Sequence, residues 1–503
     1  MENRVLAGYE PALVLQYFEE ICAIPHVSGD ECAIADYVEN FARSKGLFCY
    51  RDGVNNVFVK RDASAECENV PAVMLQGHLD MVGEKDAAST HDFSTDGLKL
   101  SVDAEGWISA DGTTLGGDDG VAVAMMLALL DTPPVPHPAL ECLFTVSEET
   151  GLEGAHAFDP TVAGATATRM INLDSECEGV LTAGCSGGVR TDIAVPVASE
   201  RREGVTVTVT LSGFSGGHSG VEIHEGHTNA IKALGRILCK LSTQYEFALI
   251  SISGGGKDNA IPRDATATVL VADVTTAARL CADARAEAES MRAEPNVIAV
   301  DKNFTCTAEL GDKIASAIAM TAESTAQVLA VVSLARDGVL AMSAHVKGLV
   351  AYSRNLGIAR TVTNDNGQPI EVHFAFATRS AVGSHLDDAE RELCLLAKVC
   401  TAGKGSAVHS ARYPGWDYAP VSPLRDVWSE TSERLYGITP AVEVIHAGLE
   451  CGILSDKMPG MDIISIGPDM QDIHTPREKL SIPSVERTYR LVREVLRALA
   501  THL

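Results

Sequence analysis

Basic residues are scarce in this chain. Lys and Arg number 40 against 68 Asp and Glu over 503 residues, a formal net charge of −28. A nucleic-acid surface needs a basic stripe, so that class of function is excluded. Docking on anionic membranes is disfavoured for the same reason, whereas a cationic or zwitterionic small substrate stays compatible. Long apolar runs are missing too. No stretch of about 18 uninterrupted apolar residues occurs, so no spanning helix is expected. Met1-Glu2-Asn3-Arg4 lacks the basic-then-apolar form of a signal peptide. The 13 Cys are odd in number and scattered, with no C-x-x-C pair. Disulfides are not expected, and a reducing cytoplasm is the expected location. Cys142, Cys281 and Cys394 lie in apolar neighbourhoods and read as small core residues.

What is present is a core of ordinary size: 46% hydrophobic and 21% charged residues. The length suggests two or three domains. Two amphipathic helices open the chain, near 10–22 and 31–45, separated by the helix-starting turn Ser28-Gly29-Asp30-Glu31. Strands follow near 56–60 and 71–76, then a polar loop at 84–112 with a hairpin around Trp107. Gly120 to Leu130 reads as a buried helix ended by Pro133-Pro134-Val135-Pro136. This βαβ rhythm predicts an α/β domain with a mostly parallel sheet.

Near residue 187 the texture changes. Val205-Thr206-Val207-Thr208-Val209-Thr210 alternates as a half-exposed strand does. Helices are expected at 227–242 and 275–292, with strands near 248–253 and 266–273. The section 325–398 shows a similar order: strand, polar turn, helix, strand near 371–377, helix near 386–399. The reading is an inserted α+β domain, ferredoxin-like, with duplication of that unit as an expectation. After Gly403 the first texture returns, with helices at 421–436 and 484–502 and strands at 441–446 and 461–466. The expected organisation is 1–186 and 400–503 as a split catalytic domain and 187–399 as an inserted lid.

Polar residues sit just after the apolar runs of the first domain, where chemistry collects in an open α/β sheet. Val73-Met74-Leu75 leads into Gly77-His78-Leu79-Asp80. Asp118-Asp119 stands at the mouth of the apolar helix. Leu143-Phe144-Thr145-Val146 ends in Ser147-Glu148-Glu149, and Ile171-Asn172-Leu173 ends in Asp174. Ile463-Ile464-Ser465-Ile466 is followed by Asp472-Ile473-His474. Each alone has an ordinary structural explanation: a helix cap for Asp118, a solvated loop for His474. Adjacent buried carboxylates such as Glu148-Glu149 are costly unless a cation balances them. Carboxylate oxygens with imidazole nitrogens suit Zn²⁺, with Mn²⁺ or Co²⁺ as substitutes. Two such ions sharing a carboxylate and a water would form a hydrolytic site.

His78-Leu79-Asp80, Gly116-Gly117-Asp118-Asp119-Gly120, Ser147-Glu148-Glu149-Thr150-Gly151 and Asn172-Leu173-Asp174 resemble the motifs of the co-catalytic dizinc exopeptidases. That family includes carboxypeptidase G, aminoacylase, peptidase T and the cytosolic dipeptidases. Phe214-Ser215-Gly216-Gly217-His218-Ser219-Gly220, Asn259-Ala260-Ile261-Pro262-Arg263, His446-Ala447-Gly448-Leu449-Glu450-Cys451-Gly452 and Asp472-Ile473-His474-Thr475-Pro476 extend the resemblance over essentially the whole chain. They point to its Xaa-His dipeptidase branch. The resemblance implies two Zn²⁺ per chain, one held by His78 and Asp174, the other by Glu149 and His474, with Asp118 bridging. It implies Glu148 as general base, and Asp80 as the carboxylate that orients His78. One departure is Asp119, where the family form has Asn. It leaves the register of the bridge ambiguous, and Asp118 is kept because it holds the motif's third place.

By the same resemblance, the inserted domain is a lid whose His218 supports the oxyanion. Arg379 is a candidate for the substrate carboxylate, because its fork can bind both oxygens. Asn259 is a candidate for holding the substrate backbone or its amide, and Gly448 is a further substrate-binding candidate. The implied activity is metal-dependent dipeptide hydrolysis, Xaa-His and β-alanyl-histidine included. Two other readings stay open: an N-acyl amino acid amidohydrolase on the same scaffold, and a metal- or peptide-binding module without turnover. The implied partners are a dipeptide substrate and a second copy docked through the lid, with no nucleic acid and no membrane.

Overall fold

The computed structural model describes residues 4–344 and 346–501. The chain divides into two compact units. One comprises residues up to Cys185, Trp416–Val444 and Leu449 onward; the other comprises Ser186–Gly415 and Ile445–Gly448.

The first unit is built on an eight-stranded sheet. In spatial order its strands are Phe48–Arg51, Val57–Arg61, Leu140–Thr145, Val73–His78, Arg169–Asn172, Asp462–Ser465, Val180–Cys185 and Ala441–Ile445. The four central strands, from Leu140–Thr145 to Asp462–Ser465, run parallel. Phe48–Arg51 and Val57–Arg61 on one side, and Val180–Cys185 on the other, join antiparallel. The sheet is therefore mixed, with the expected parallel character confined to its centre. Val73–His78 and Leu140–Thr145 are buried along their whole length, as strands covered on both faces must be.

Helix Gly117–Asp131 connects Val73–His78 to Leu140–Thr145 and is buried from Gly117 to Leu130. Its Ala-, Val-, Met- and Leu-rich surface is apolar all round, which suits a helix enclosed by the core. A Cβ at Gly77 would stand 2.8 Å from the Ala122 Cβ and 2.5 Å from Asp119 Oδ2. The absent side chain there lets the helix start lie against the end of the strand. From Leu140–Thr145 the chain crosses back to Arg169–Asn172, on the other side of Val73–His78. The crevice beyond His78 is thus a topological switch point, the place where such sheets bind ligands. A smaller four-stranded sheet joins the hairpin Leu100–Val102/Trp107–Ala110 to Lys479–Ser481 and Met470–Gln471.

The second unit contains two βαββαβ modules in one nine-stranded sheet. The first module is Ser199–Ser212, helix Ala230–Ser242, Ala248–Gly254, Ala265–Val271, helix Val274–Arg292 and Thr305–Met320. Its strands lie in the spatial order fourth, first, third, second. The second module is Gly187–Pro196, helix Ala322–Leu334, Val350–Thr363, Pro369–Ser380, helix Gly383–Cys400 and Ser406–Tyr413, with the same spatial order. Both are ferredoxin-like. The repeat of one topology is what the expected duplication requires, and it is nested: the first module is inserted between the first strand and the first helix of the second. They meet edge to edge where Ser253 and Gly254 pair with Arg360 and Ala359. Inside the first module Val205, Val207, Val209 and Leu211 face the core. Thr208 and Thr210 on the opposite face pair with Thr268 and Thr266, giving the alternation read from sequence.

Three readings are corrected. The order over 325–398 does not begin with a strand followed by a helix. It begins in helix Ala322–Leu334 and continues with strands Gly338–Met342 and Val350–Thr363. Val328, Val331 and Val332 carry strand propensity, but they are buried at helical spacing in the module's core, and packing overrides propensity. The texture does not revert after Gly403, because Ser406–Tyr413 pairs with Gly187–Pro196. That edge strand alternates exposed and half-buried residues and so lacks a hydrophobic signature. The second unit accordingly runs to Gly415 rather than 399, and it takes back Ile445–Gly448.

Candidate metal centre

The first unit brings His78, Asp80, Asp118, Asp119, Glu148, Glu149, Asp174 and His474 to one place beyond the carboxyl ends of the parallel strands. His78 Nε2 lies 3.1 Å from Asp118 Oδ1 and 3.7 Å from Asp174 Oδ1. His474 Nε2 lies 3.1 Å from Asp118 Oδ2 and 2.8 Å from Glu149 Oε1. The two imidazoles therefore face the two different oxygens of one carboxylate, each with a further acid beside it. Asp119 Oδ2 instead accepts the His78 amide at 3.2 Å. Asp118 is thus the carboxylate that stands between the two histidines, while Asp119 groups with His78 and Asp174.

The support beneath these groups is extensive. His78 Nδ1 donates to the Asp80 carbonyl oxygen at 2.9 Å. The Asp80 carboxylate accepts from Ser28 Oγ and from the amides of Glu148 and Glu149. Asp80 thus ties the His78 strand to the Glu148-Glu149 turn, a wider task than orienting one ring. Ser147, just before that turn, sits at φ 51°. Buried Glu31 holds it there by accepting both its amide and its hydroxyl. Left-handed backbone at a non-glycine residue costs roughly 1–2 kcal/mol, so such positions persist where their surroundings enforce them. His474 and Asp472, at φ 60° and 51°, belong to the same set.

A second layer was not foreseen from sequence. Asn172 donates to Gln76 at 2.6 Å, and Gln76 donates to Glu450 at 2.6 Å. Thr145 Oγ1 also donates to Glu450, at 2.7 Å. Gln76 and Asn172 stand two residues before His78 and Asp174. Strand alternation puts such residues on the ligand-bearing face, the one signal that points to them. Glu31 and Glu450 lay inside quoted motifs but carried no sign of where they would be aimed.

The electrostatics are those of a site built for positive charge. Hydrogen bonds to Asp118, then Glu149, push His474 up to about 10. Burial alone would lower His78, but its hydrogen bonds to Asp118 and Asp80 hold it well above its ordinary value. Burial raises Asp174, and neighbouring Asp119 adds to the shift. Burial, partly offset by His78 and reinforced by Glu450 and Glu149, pushes Glu148 up to about 8. Two imidazole nitrogens and three carboxylates converging in this way match the hard, borderline donor set of divalent Zn²⁺ or Mn²⁺, and the residues present fit such ions.

The second unit gathers the remaining predicted residues. His218 pairs with Ala260 in a two-stranded ribbon, and the Ser219 amide donates to the Asn259 carbonyl at 2.9 Å. Arg379 Nη1 donates to Tyr413 OH at 2.9 Å, while its Nε is buried without a partner. Gly448 approaches the same Tyr413, whose ring would lie 2.8 Å from a Cβ at that position. His446, not singled out before, meets Ser353 Oγ at 2.7 Å. Burial, then Arg379, pushes His446 down to about 3 and His218 below its usual value. A half-buried cation with an unused donor and two neutral histidines is a receptive place for an anionic group.

Fold and sites together define the metallopeptidase class. A model of peptidase family M28 matches residues 56–180, and a model of the peptidase dimerisation domain matches residues 209–296. The cytosol non-specific dipeptidase of Escherichia coli (strain K12) is 36% identical, over 98% of this chain and 98% of its own. The crystal structure of an aminoacylhistidine dipeptidase from Vibrio alginolyticus matches with a TM-score of 0.90 at 32% identity, covering 99% of this chain and 98% of that one. Aminopeptidase PepT from Bacillus cereus shares the fold, with a TM-score of 0.55 at 16% identity, over 98% of this chain and all of its own. The chain belongs to the same family as the first two relatives, the M20 metallopeptidases.

Proposed function

We propose that this protein hydrolyses dipeptides with two divalent cations, Zn²⁺ in the first place and Mn²⁺ or Co²⁺ as substitutes. In this reading His78 and Asp174 hold one ion, Glu149 and His474 hold the other, and Asp118 spans both. The observation that carries it is the placement of His78 Nε2 and His474 Nε2 against opposite oxygens of Asp118. When bound, the ions supply Lewis-acid polarisation of the scissile carbonyl and lower the pKa of water.

The chain's own residues do the rest. Glu148 is not among the proposed ligands, so its carboxylate is free to take a proton from water and return it to the leaving amine. Asp80 holds His78 in the tautomer that presents Nε2, through the Nδ1–H donated to its carbonyl oxygen. In the second unit Arg379 binds the substrate carboxylate, His218 supports the developing oxyanion, Asn259 holds the substrate backbone or its amide, and Gly448 contributes to substrate binding. His218 is kept neutral by burial and by Arg379, so it acts as a hydrogen-bond donor.

The substrate class is Xaa-His dipeptides, β-alanyl-histidine included, with tolerance for other dipeptides. Support comes from relatives named as a cytosol non-specific dipeptidase and an aminoacylhistidine dipeptidase. A cytoplasmic location fits the first of these names, and no helix among the described residues is long and apolar enough to cross a membrane. A homodimer through the second unit is a further proposal, supported by the dimerisation-domain match. The test is metal analysis with a substrate panel: two metals per chain and cleavage of Ala-His and β-Ala-His are expected. Hydrolysis confined to N-acetyl amino acids would turn the reading to an amidohydrolase, and silence on every substrate to a binding module.

A further inference from the structure

The carboxylate of Glu478 accepts four successive backbone amides from a distant part of the first unit. Oε2 takes Leu115 at 2.8 Å and Gly116 at 3.2 Å, and Oε1 takes Gly117 at 2.7 Å and Asp118 at 3.4 Å. Glu478 is 3% exposed. These four donors open the buried helix that begins at Gly117. The first amides of a helix have no partner within it, and a donor left buried and unpaired destabilises the fold. The segment cannot cap itself in the usual way. Gly116 sits at φ 67°, and Asp118 has non-helical angles of −82° and 105°. A Cβ at Gly117 would come within 3.2 Å of Glu478 Oε1, so the sequence leaves room for this acid.

The position of Glu478 in the chain gives the contact its consequence. Strands Met470–Gln471 and Lys479–Ser481 pair antiparallel, so residues 472–478 form the loop of a hairpin. The loop is braced by Thr475 Oγ1 donating to the Asp472 carbonyl and by the Glu478 amide donating to the Thr475 carbonyl. Lys479–Ser481 pairs in turn with Trp107–Ala110, which fixes the hairpin's base. One short loop therefore grips Asp118 twice. His474 faces its side-chain Oδ2, and Glu478 holds its backbone and the three residues before it.

We propose that Glu478 is a positioning residue for the metal centre: it fixes the Leu115–Asp118 turn so that the Asp118 carboxylate stands between His78 and His474, and thereby sets the affinity for both cations. The inference rests on the two-cation reading. It differs from a helix-capping role because a cap would change the stability of the fold without changing metal affinity in the folded protein.

The experiment measures zinc dissociation constants of the full-length wild-type, Glu478→Gln and Glu478→Ala proteins by competition with a chromophoric chelator. It is run well below each protein's Tm, alongside thermal melts of the metal-free forms. Glu478→Gln keeps the shape but turns an NH₂ toward two amide donors. Weakening of both sites by about 10–100-fold is expected for Glu478→Gln, the range for groups that orient metal ligands, with a larger loss for Glu478→Ala. A folded Glu478→Gln protein with wild-type dissociation constants and only a lowered Tm overturns the proposal, and this variant decides the matter if Glu478→Ala does not fold. Wild-type protein that binds no zinc, or a single ion, would instead sink the two-cation reading itself.

Discussion

His474 Nε2 stands 3.1 Å from Asp118 Oδ2 although 356 residues separate the two in sequence. The second unit lies between them along the chain, so the first unit's sheet is completed only when the C-terminal segment returns. His78 occupies the other oxygen of the same carboxylate. The site is thus assembled from both ends of the chain around one aspartate, and the predictions follow from that arrangement.

Glu148→Gln should separate binding from turnover. The side chain keeps its shape and loses its ability to take a proton. A fall in kcat of about 10²–10⁴-fold is expected, with two metals per chain retained in elemental analysis. Loss of metal together with activity would show that Glu148 serves as a ligand.

Arg379→Ala should act on substrate binding. The Nε left without a partner is the donor that an incoming carboxylate would use. Truncation should raise KM for dipeptides by about 10–100-fold, the worth of a hydrogen bond to a charged group, and metal content should not change. Peptides amidated at the C-terminus should be poor substrates of the wild type and nearly indifferent to the variant. Equal sensitivity of free and amidated peptides would refute the assignment.

His218→Ala should lower kcat by about 10²–10³-fold, as removal of an oxyanion donor does, with zinc affinity intact. A change confined to KM would reassign His218 to substrate binding.

His446 gives a pH prediction. Its pKa falls from 6.5 to about 3 on folding, through burial and then Arg379. Between these values the unfolded chain binds a proton that the folded unit does not, so stability rises with pH there and is lost as pH falls from 6.5 toward 3. Replacing His446 with Gln removes this contribution. Urea unfolding between pH 4 and 7 should show a shallower pH dependence for His446→Gln than for the wild type, and parallel curves would contradict the assignment.

The strand-end pattern around His78, Glu148-Glu149 and Asp174 is legible because acidic and histidine residues follow several apolar runs in turn, a coincidence that no single structural explanation covers. His218, Arg379, Asn259 and Gly448 came through the motif resemblance, and the structure places all four in one unit. The nested second module was only partly legible. Helix Ala322–Leu334 carries strand-like valines, and Ser406–Tyr413 is an edge strand with little to bury. Hydrogen-bond partners were beyond reach. Nothing local in Glu31, Glu450 or Glu478 says which amides their carboxylates will meet, because that depends on contacts across 116, 374 and 361 residues respectively.

The most direct test is anomalous diffraction from crystals loaded with Zn²⁺. Two peaks about 3.5–4 Å apart should flank the Asp118 carboxylate, one nearest His78 and Asp174, the other nearest Glu149 and His474. A single peak, or a pair that Asp118 does not span, would contradict the account.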